Sequence, residues 1–537
     1  MRFLFPLFLF VVTAQTSYAQ QHDKYWLGGV GWFPFTDSTS CVLMRFEDTG
    51  ITYSFFNSNI MIDAGSVAMS DASGILQFYT NGNVVATWDH QIMQGGKGFN
   101  EGSGFSDFNN PDYGDTMMNF TYIANTFQLI PDGYEENVYY MLHSFGTLEE
   151  LGLGPILVAP KMQISKIDMK ANGGQGKVLY KNQYFDEETM GAGYAVVRHG
   201  NGHDWWLVRR SPDGLYFRST LLRRDSVVLT VESTMPGLGA DWFDYDDLYV
   251  SAHNLLEASP DGGMLLDNYG FGHAKLMAFD RCSGEVSLID TFSTGIVQLE
   301  VVGGEVKDCT NVFFAFSPSG RYLYGVGWAE YAQWDLWADD ISGSKVQLGG
   351  VPWAMDDFQN VLEGIVGGSW TFSLGPDGKL YNLGQSSHSV IEYPDEKGEA
   401  SGYCIAADSP PSCLGMPFYL YSTPHPNYRL GALEGSACDT ILSSTEPPLA
   451  GSGYGVEASP SIASGQTEVS ITLPSYGGST AEVQVVDMLG RVLHRHRFPP
   501  YAYLHTLDVR DWAPGLYNIV LLDKGRARAA ARLVVAR

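Results

Sequence analysis

The stretch Phe316-Ser317-Pro318-Ser319-Gly320-Arg321-Tyr322-Leu323-Tyr324-Gly325-Val326 joins a tight turn to a strand. Ser317 suits the first position of a type I turn, Pro318 pre-sets φ at the second, and Gly320 can take the positive φ that returns the chain into a strand. Beyond Gly320 the side chains alternate, with Tyr322, Tyr324 and Val326 on one face and Arg321, Leu323 and Gly325 on the other. The same unit recurs along the chain. Similar turns occur at Ser70-Asp71-Ala72-Ser73-Gly74, Ser211-Pro212-Asp213-Gly214, Ser259-Pro260-Asp261-Gly262 and Gly375-Pro376-Asp377-Gly378. The second residue after each glycine is apolar: Leu76, Tyr216, Met264, Tyr322 and Leu380. From Gly214 onward the glycines are 48, 58 and 58 residues apart, and Pro131-Asp132-Gly133 is a degenerate member 59 residues after Gly74. The 81 residues from Gly133 to Gly214 then hold one unit with an insertion, or two.

Between Gln20 and about Thr445 the chain is rich in Gly, Tyr, Trp and Phe and has no long 3.6-residue pattern, which is all-β composition. A repeat of about 50–60 residues with about four strands makes a sheet that cannot bury both faces alone, so neighbours must pack in a ring: a β-propeller. That length at this period predicts about seven blades, with six or eight also compatible. Two β-sandwiches in series are the competing arrangement, and the even hairpin spacing without a central linker counts against it.

Residues 1–19 read as a signal peptide: Arg2, an apolar run from Phe3 to Val12 broken by Pro6, and small residues at Ser17 and Ala19. The apolar run is too short to span a bilayer, and no later stretch approaches the ~20 residues a transmembrane helix needs. Six cysteines follow, Cys41, Cys282, Cys309, Cys404, Cys413 and Cys438, an even number that favours disulfides in an exported chain. We expect Cys404 with Cys413 across the Pro410-Pro411 bend, Cys282 with Cys309, and Cys41 with Cys438; buried free thiols are the alternative for each pair. Net charge is −28, divided as +2 for residues 456–537 and −30 for residues 1–455. Such a field disfavours nucleic acid and anionic lipid as partners.

Residues 446–455, Glu-Pro-Pro-Leu-Ala-Gly-Ser-Gly-Tyr-Gly, read as a linker. Beyond it, Val469–Leu473, Ala481–Asp487, Val492–Arg497, His505–Val509, Leu516–Leu522 and Ala527–Val535 alternate as strands of a small β-sandwich. Ser459-Pro460-Ser461, Val485-Val486-Asp487-Met488-Leu489-Gly490-Arg491-Val492, Leu507-Asp508-Val509, Pro514-Gly515-Leu516-Tyr517 and Leu533-Val534-Val535 appear in that order. With these motifs, residues 456–537 resemble the C-terminal sorting domain of the Bacteroidetes type IX secretion system, although the family's Pro-Asn-Pro opening is only partly kept around Pro460. The resemblance implies export across the outer membrane to the medium or cell surface, with the type IX machinery as partner. A small accessory β-sandwich, such as a carbohydrate-binding module, is the alternative for this segment. The body resembles the uncharacterised secreted propeller-like proteins that carry this tail, through Leu76-Gln77-Phe78-Tyr79-Thr80-Asn81-Gly82 with His90 to Met93, Asn201-Gly202-His203-Asp204-Trp205-Trp206, Phe279-Asp280-Arg281-Cys282-Ser283-Gly284 and Asn427-Tyr428-Arg429-Leu430-Gly431. No reaction comes with that likeness.

No catalytic constellation is evident. His199 and His203 have the spacing of a helical metal pair, but Gly200 and Gly202 lie between them and favour a turn before Trp205 and Trp206. One of these tryptophans is expected between blades; the other is a candidate stacking surface, although ordinary packing is the preferred reading for it too. Asp241, Asp244, Asp246 and Asp247 crowd around Trp242, Phe243 and Tyr245; oxygen-rich loops of this kind hold Ca²⁺, or are simply solvated. Asp339-Asp340 and Asp356-Asp357 read the same way. Gly173-Gly174-Gln175-Gly176-Lys177 departs from a phosphate loop and fits a hairpin turn. The expected function is an exported propeller, without cofactor apart from that Ca²⁺ candidate, that binds a glycan, peptide or surface partner around Asp241, Trp242, Asp244, Asp246 and Asp247. A hydrolase or lyase acting on polysaccharide through carboxylates at the ring's mouth is the alternative.

Overall fold

The computed structural model describes residues 20–29, 41–47, 50–60, 62, 66–100, 127–144, 147–150, 155–159, 161–191, 193–212, 214–235, 256–268, 273–296, 299–302, 305–308, 313–326, 330–350, 369–384, 388–405, 425–433, 436, 438, 455–460, 462–473, 481–486, 492–498, 504–513, 515–523 and 526–535. Among them the chain is all-β, a β-propeller followed by a small β-sandwich.

The unit at Phe316 shows why the sheets form. The amide of Gly320 donates to the Ser317 carbonyl at 2.8 Å and that of Ser317 to the Tyr322 carbonyl at 2.7 Å, with Gly320 at φ +72°. The turn joins the strands Phe313–Phe316 and Tyr322–Val326, which pair antiparallel. Glu330–Asp335 and Val346–Gly350 complete a four-stranded sheet, here blade 6. Tyr322 and Tyr324 enter one apolar cluster and Leu323 enters the opposite one, so both faces of the sheet are buried.

The other blades repeat this plan in chain order. Blade 1 has three strands among the described residues, Tyr25–Gly29, Cys41–Glu47 and Gly50–Phe56. Blade 2 comprises Val67–Ser70, Leu76–Thr80, Val84–Thr87 and Ile92–Lys97; blade 3 comprises Phe127–Pro131, Val138–His143, Met162–Asp168 and Lys177–Asp186. The outermost strands of these two blades touch at a single parallel pair, Lys177 with Gln94, which joins them into one eight-stranded sheet. Blade 4 is Tyr194–Arg198, Trp205–Arg210, Tyr216–Arg223 and Ser226–Thr234. Blade 5 is Leu256–Ala258, Met264–Asn268, His273–Phe279 and Val286–Ser293, and blade 7 is Ser369–Leu374, Leu380–Gly384, His388–Ile391 and Tyr403–Ile405.

Apolar clusters mortar each sheet to the next. Leu43 and Tyr79 lie between blades 1 and 2, and Phe78, Tyr139, Met141 and Trp205 run through blades 2, 3 and 4. Trp206 and Met277 join blades 4 and 5, Phe292 and Trp334 blades 5 and 6, and Tyr324 and Phe372 blades 6 and 7. Trp26, Met44 and Phe46 of blade 1 meet Tyr381 and Val390 of blade 7, which closes the ring.

One repeat member was out of register. The turns between first and second strands carry Gly74, Gly133, Gly202, Gly262, Gly320 and Gly378, at intervals of 59, 69, 60, 58 and 58 residues. The Ser211 turn instead joins the second and third strands of blade 4. Blade 3 is thus one unit with an insertion, the hairpin Thr147–Glu150 with Pro155–Ala159, to which Met190–Gly191 adds.

Cys282 is bonded to Cys438 across 156 residues, which corrects the expected Cys282–Cys309 and Cys41–Cys438 pairs. Cys41 is a free, buried thiol in the packing between blades 1 and 2, where burial pushes its pKa up to about 11. Cys404 is disulfide-bonded, while Cys309 and Cys413 lie outside the described residues. The Cys282–Cys438 bond ties residues 425–438 across the turns of blades 4 and 5. A Cβ at Gly200 would collide with the Cys438 sulfur. Along the same segment, the Leu433 amide donates to the Gly200 carbonyl at 2.8 Å, Asn427 Nδ2 to the Pro260 carbonyl and Tyr428 Oη to the Leu129 carbonyl at 2.8 Å.

In the C-terminal part, Gly455–Ser459, Gln466–Thr472 and Leu504–Asp508 form one sheet. Ile462–Ala463, Arg526–Val535, Gly515–Asp523, Glu482–Val486 and Val492–Arg497 form the other. Val469, Val485, Ile519 and Leu533 fill the core between them. All six strands expected there are present. Among the described residues no helix is long and apolar enough to cross a membrane.

Because the Cys282–Cys438 bond closes so long a loop, replacing both cysteines by alanine is expected to lower the unfolding free energy by about 2–5 kcal/mol. Urea denaturation of the oxidised protein and the double variant measures this; equal stabilities would mean that the segment is held by its hydrogen bonds alone.

Candidate functional site

The innermost strands surround a cavity of about 190 Å³. Gln128 of blade 3, Tyr194 to Val197 of blade 4, Leu256 to Ala258 of blade 5, Ala315 and Phe316 of blade 6, Phe372 to Leu374 of blade 7 and Trp26 of blade 1 line it. His425 to Asn427, Arg429 and Leu430 lie across the end where the turn residues Ser259, Pro260 and Pro376 gather.

Period-two alternation places the carboxyl group in this wall. Leu256 and Ala258 face the core shared with blade 4, so Glu257 between them turns to the other face, level with its cross-strand partner Leu266. Glu257 is half-buried where it borders the cavity, and desolvation there pushes its pKa up to about 8. Among the described residues nothing hydrogen-bonds its carboxyl group. It is therefore protonated at neutral pH. Burial also pushes His425 down to about 4, leaving it neutral. Asp23 and Arg429 form a two-pronged ion pair, at 2.6 and 2.7 Å, that neutralises both.

Among the described residues, several polar atoms here are buried without a hydrogen-bond partner: Trp26 Nε1, Ser373 Oγ and both ring nitrogens of His425. Trp26 is held by edge contacts with Phe46 and Tyr381 and lies over the His425 ring at 6.4 Å. Tyr194, by contrast, donates its hydroxyl to the Leu142 carbonyl at 3.3 Å. Orphaned buried polar atoms are rare in native proteins, and around a cavity they mark a place for water or a ligand.

The expected site lies elsewhere in the chain. Asp241, Trp242, Asp244, Asp246 and Asp247 fall outside the described residues, as do Asp356 and Asp357. Asp339 and Asp340 occupy an exposed turn in which the Asp340 carboxylate accepts the Gly343 amide at 2.9 Å. Among the described residues no group of three or more His, Cys, Asp or Glu side chains is arranged to hold a metal ion. His199 and His203 do flank a turn. His199 is buried against the Cys282 carbonyl, and His203 Nδ1 lies 2.8 Å from the Gly133 carbonyl. Trp205 and Trp206 are both buried, because the two faces of an inner sheet strand each meet a blade; their indole N–H groups donate to the Pro131 and Arg281 carbonyls. Both therefore pack inside the ring, as ordinary packing requires, and neither is an exposed stacking surface. Residues 173–177 form the hairpin turn before Lys177–Asp186.

Neither protein-family models nor the curated proteins give any match to the chain. Among solved structures it is similar to a functionally unknown protein from Desulfotomaculum acetoxidans, at 11% identity and a TM-score of 0.30, covering 58% of this chain and 82% of that one. Kluyveromyces lactis Hsv2 matches at 10% identity and a TM-score of 0.32, covering 73% and 95%. The extracellular domain of a one-component system from B. thetaiotaomicron matches at 10% identity and a TM-score of 0.25, covering 94% and 62%.

Glu257 makes stability depend on pH. Its folded pKa lies above its unfolded value, so its contribution is complete below the ordinary carboxylate range and is lost as pH rises to about 8. His425 has the opposite sign, losing stability as pH falls from its ordinary value of 6.5 to about 4. Glu257→Gln is therefore expected to gain on the parent protein between pH 5 and pH 9, by on the order of a few kcal/mol, in urea denaturation series. A constant difference across that range would refute the desolvated carboxyl.

Proposed function

We propose that the protein is an exported β-propeller that binds an extracellular glycan, peptide or surface partner, whose end enters the central cavity. The observation that carries this is the set of unpartnered buried polar atoms, Trp26 Nε1, Ser373 Oγ and the His425 nitrogens, around one cavity. At about 190 Å³ it is smaller than the ~300–1,000 Å³ clefts that enclose drug-sized ligands, so it suits a terminal group of a larger partner. The motifs of residues 456–537 support export through the type IX route, after a signal peptide directs the chain across the inner membrane.

The alternative, a hydrolase or lyase, draws on Glu257, since a carboxyl group protonated at neutral pH suits a general acid. Glycoside hydrolysis ordinarily uses two carboxyl groups, and Asp23, the other one lining the cavity among the described residues, is held by Arg429. Binding without turnover accounts for both.

Two measurements test this function. On an array of glycans and extracellular proteins, the full chain is expected to give signals that a tail-only control lacks and that Ser373→Phe, which fills the cavity, abolishes; signals that survive the substitution would move the site elsewhere. Removal of Val456–Arg537 is expected to leave the body in the periplasm. Normal release of the shortened chain would refute the sorting role.

A further inference from the structure

The wall chemistry of the cavity narrows what can enter it, and this step rests on the binding function proposed above. Among the described residues, the titratable side chains that line it are Asp23, Tyr194, Glu257, His425 and Arg429. At neutral pH Tyr194, Glu257 and His425 are uncharged, and Asp23 cancels Arg429. Within a chain of net charge −28, the described residues thus give this cavity a lining without net charge.

What the wall offers is hydrogen bonding and apolar surface. Trp26 Nε1 can only donate, Ser373 Oγ and a protonated Glu257 can each donate and accept, and neutral His425 donates from one nitrogen and accepts at the other. Phe316 and Phe372 supply apolar faces beside them. The volume corresponds to about six waters, the scale of one six-membered sugar ring with its hydroxyl groups. A charged ligand would leave water for a site where the described residues offer no free opposite charge, an unfavourable transfer.

We infer that the central cavity binds a single uncharged, polyhydroxylated ring, a neutral hexose at the end of a glycan, with Trp26, Glu257, Ser373 and His425 as its hydrogen-bonding partners. Hydroxyl groups that both donate and accept match this mixed set better than an ammonium or carboxylate does.

Titration calorimetry on the full chain with methyl glycosides of gluco, galacto and manno configuration, each as the neutral hexose, the 2-amino sugar and the uronic acid, tests it. A neutral member should bind at least about tenfold more tightly than its charged counterparts. Trp26→Phe and Ser373→Ala should each weaken that binding by about three- to tenfold. Glu257→Gln, which replaces one of the partners, should weaken that binding by about three- to tenfold at pH 6.5. The parent protein should bind more weakly as pH passes about 8, and the Gln variant should not. The pH profile needs no variant that removes a core ring, so a misfolded Trp26→Phe protein does not spare the inference. Preference for an amino sugar or a uronic acid would overturn it while leaving a channel-binding protein. Failure of all the sugars alongside cavity-dependent array signals would do the same. Absence of both would overturn the binding function as well.

Discussion

Each sheet of the ring has two apolar faces, and neither can be left to water. Tyr324 on one side of blade 6 and Leu323 on the other make the point for a single strand. Burial of both faces forces every blade to have two neighbours, and a finite chain meets that condition only by returning to its start. The packing of Trp26 and Phe46 against Tyr381 is therefore the contact on which the others depend. The Asp23–Arg429 ion pair and the Cys282–Cys438 bond reinforce the same return of the chain, one holding the beginning of the ring and the other blade 5.

Closure creates the cavity as a by-product. The inner edges of the blades converge on an axis where side chains cannot all meet, and residues 425–430 cover the space at the turn end. Some polar groups placed there lose water without gaining protein partners. That one condition explains why Glu257 holds its proton, why His425 gives its own up, and why Trp26 and Ser373 keep unpaired atoms. A chain strongly negative overall, with an axial cavity whose described lining carries no net charge, suits solubility on the outside and selection of neutral groups within.

Much of the ring was legible because its signals are local. Turn chemistry at Ser317 to Gly320 and the alternation that follows need no distant information, and the same holds for the six strands expected after residue 456. The Ser211 turn misled because a Ser-Pro-Asp-Gly sequence serves equally well between second and third strands; Asn201-Gly202, with Asn201 accepting two backbone amides, fills the equivalent position in blade 4. Disulfide pairing was not legible, since Cys282 and Cys438 meet only through closure of the ring. Glu257 was passed over for a related reason. In Leu256-Glu257-Ala258 it reads as the solvent side of an alternating strand, and only the ring turns that side toward a closed axis. His425, between two prolines, gave a turn signal and nothing more.

The central claim is that the axis of the ring is a desolvated, uncharged chamber. The most direct measurement is the ¹³C chemical shift of the Glu257 carboxyl group, assigned by its loss in Glu257→Gln and followed from pH 4 to pH 10. The account predicts a midpoint near pH 8. A midpoint in the ordinary carboxylate range would mean that bulk water reaches the axis, and the neutral chamber would fall with it.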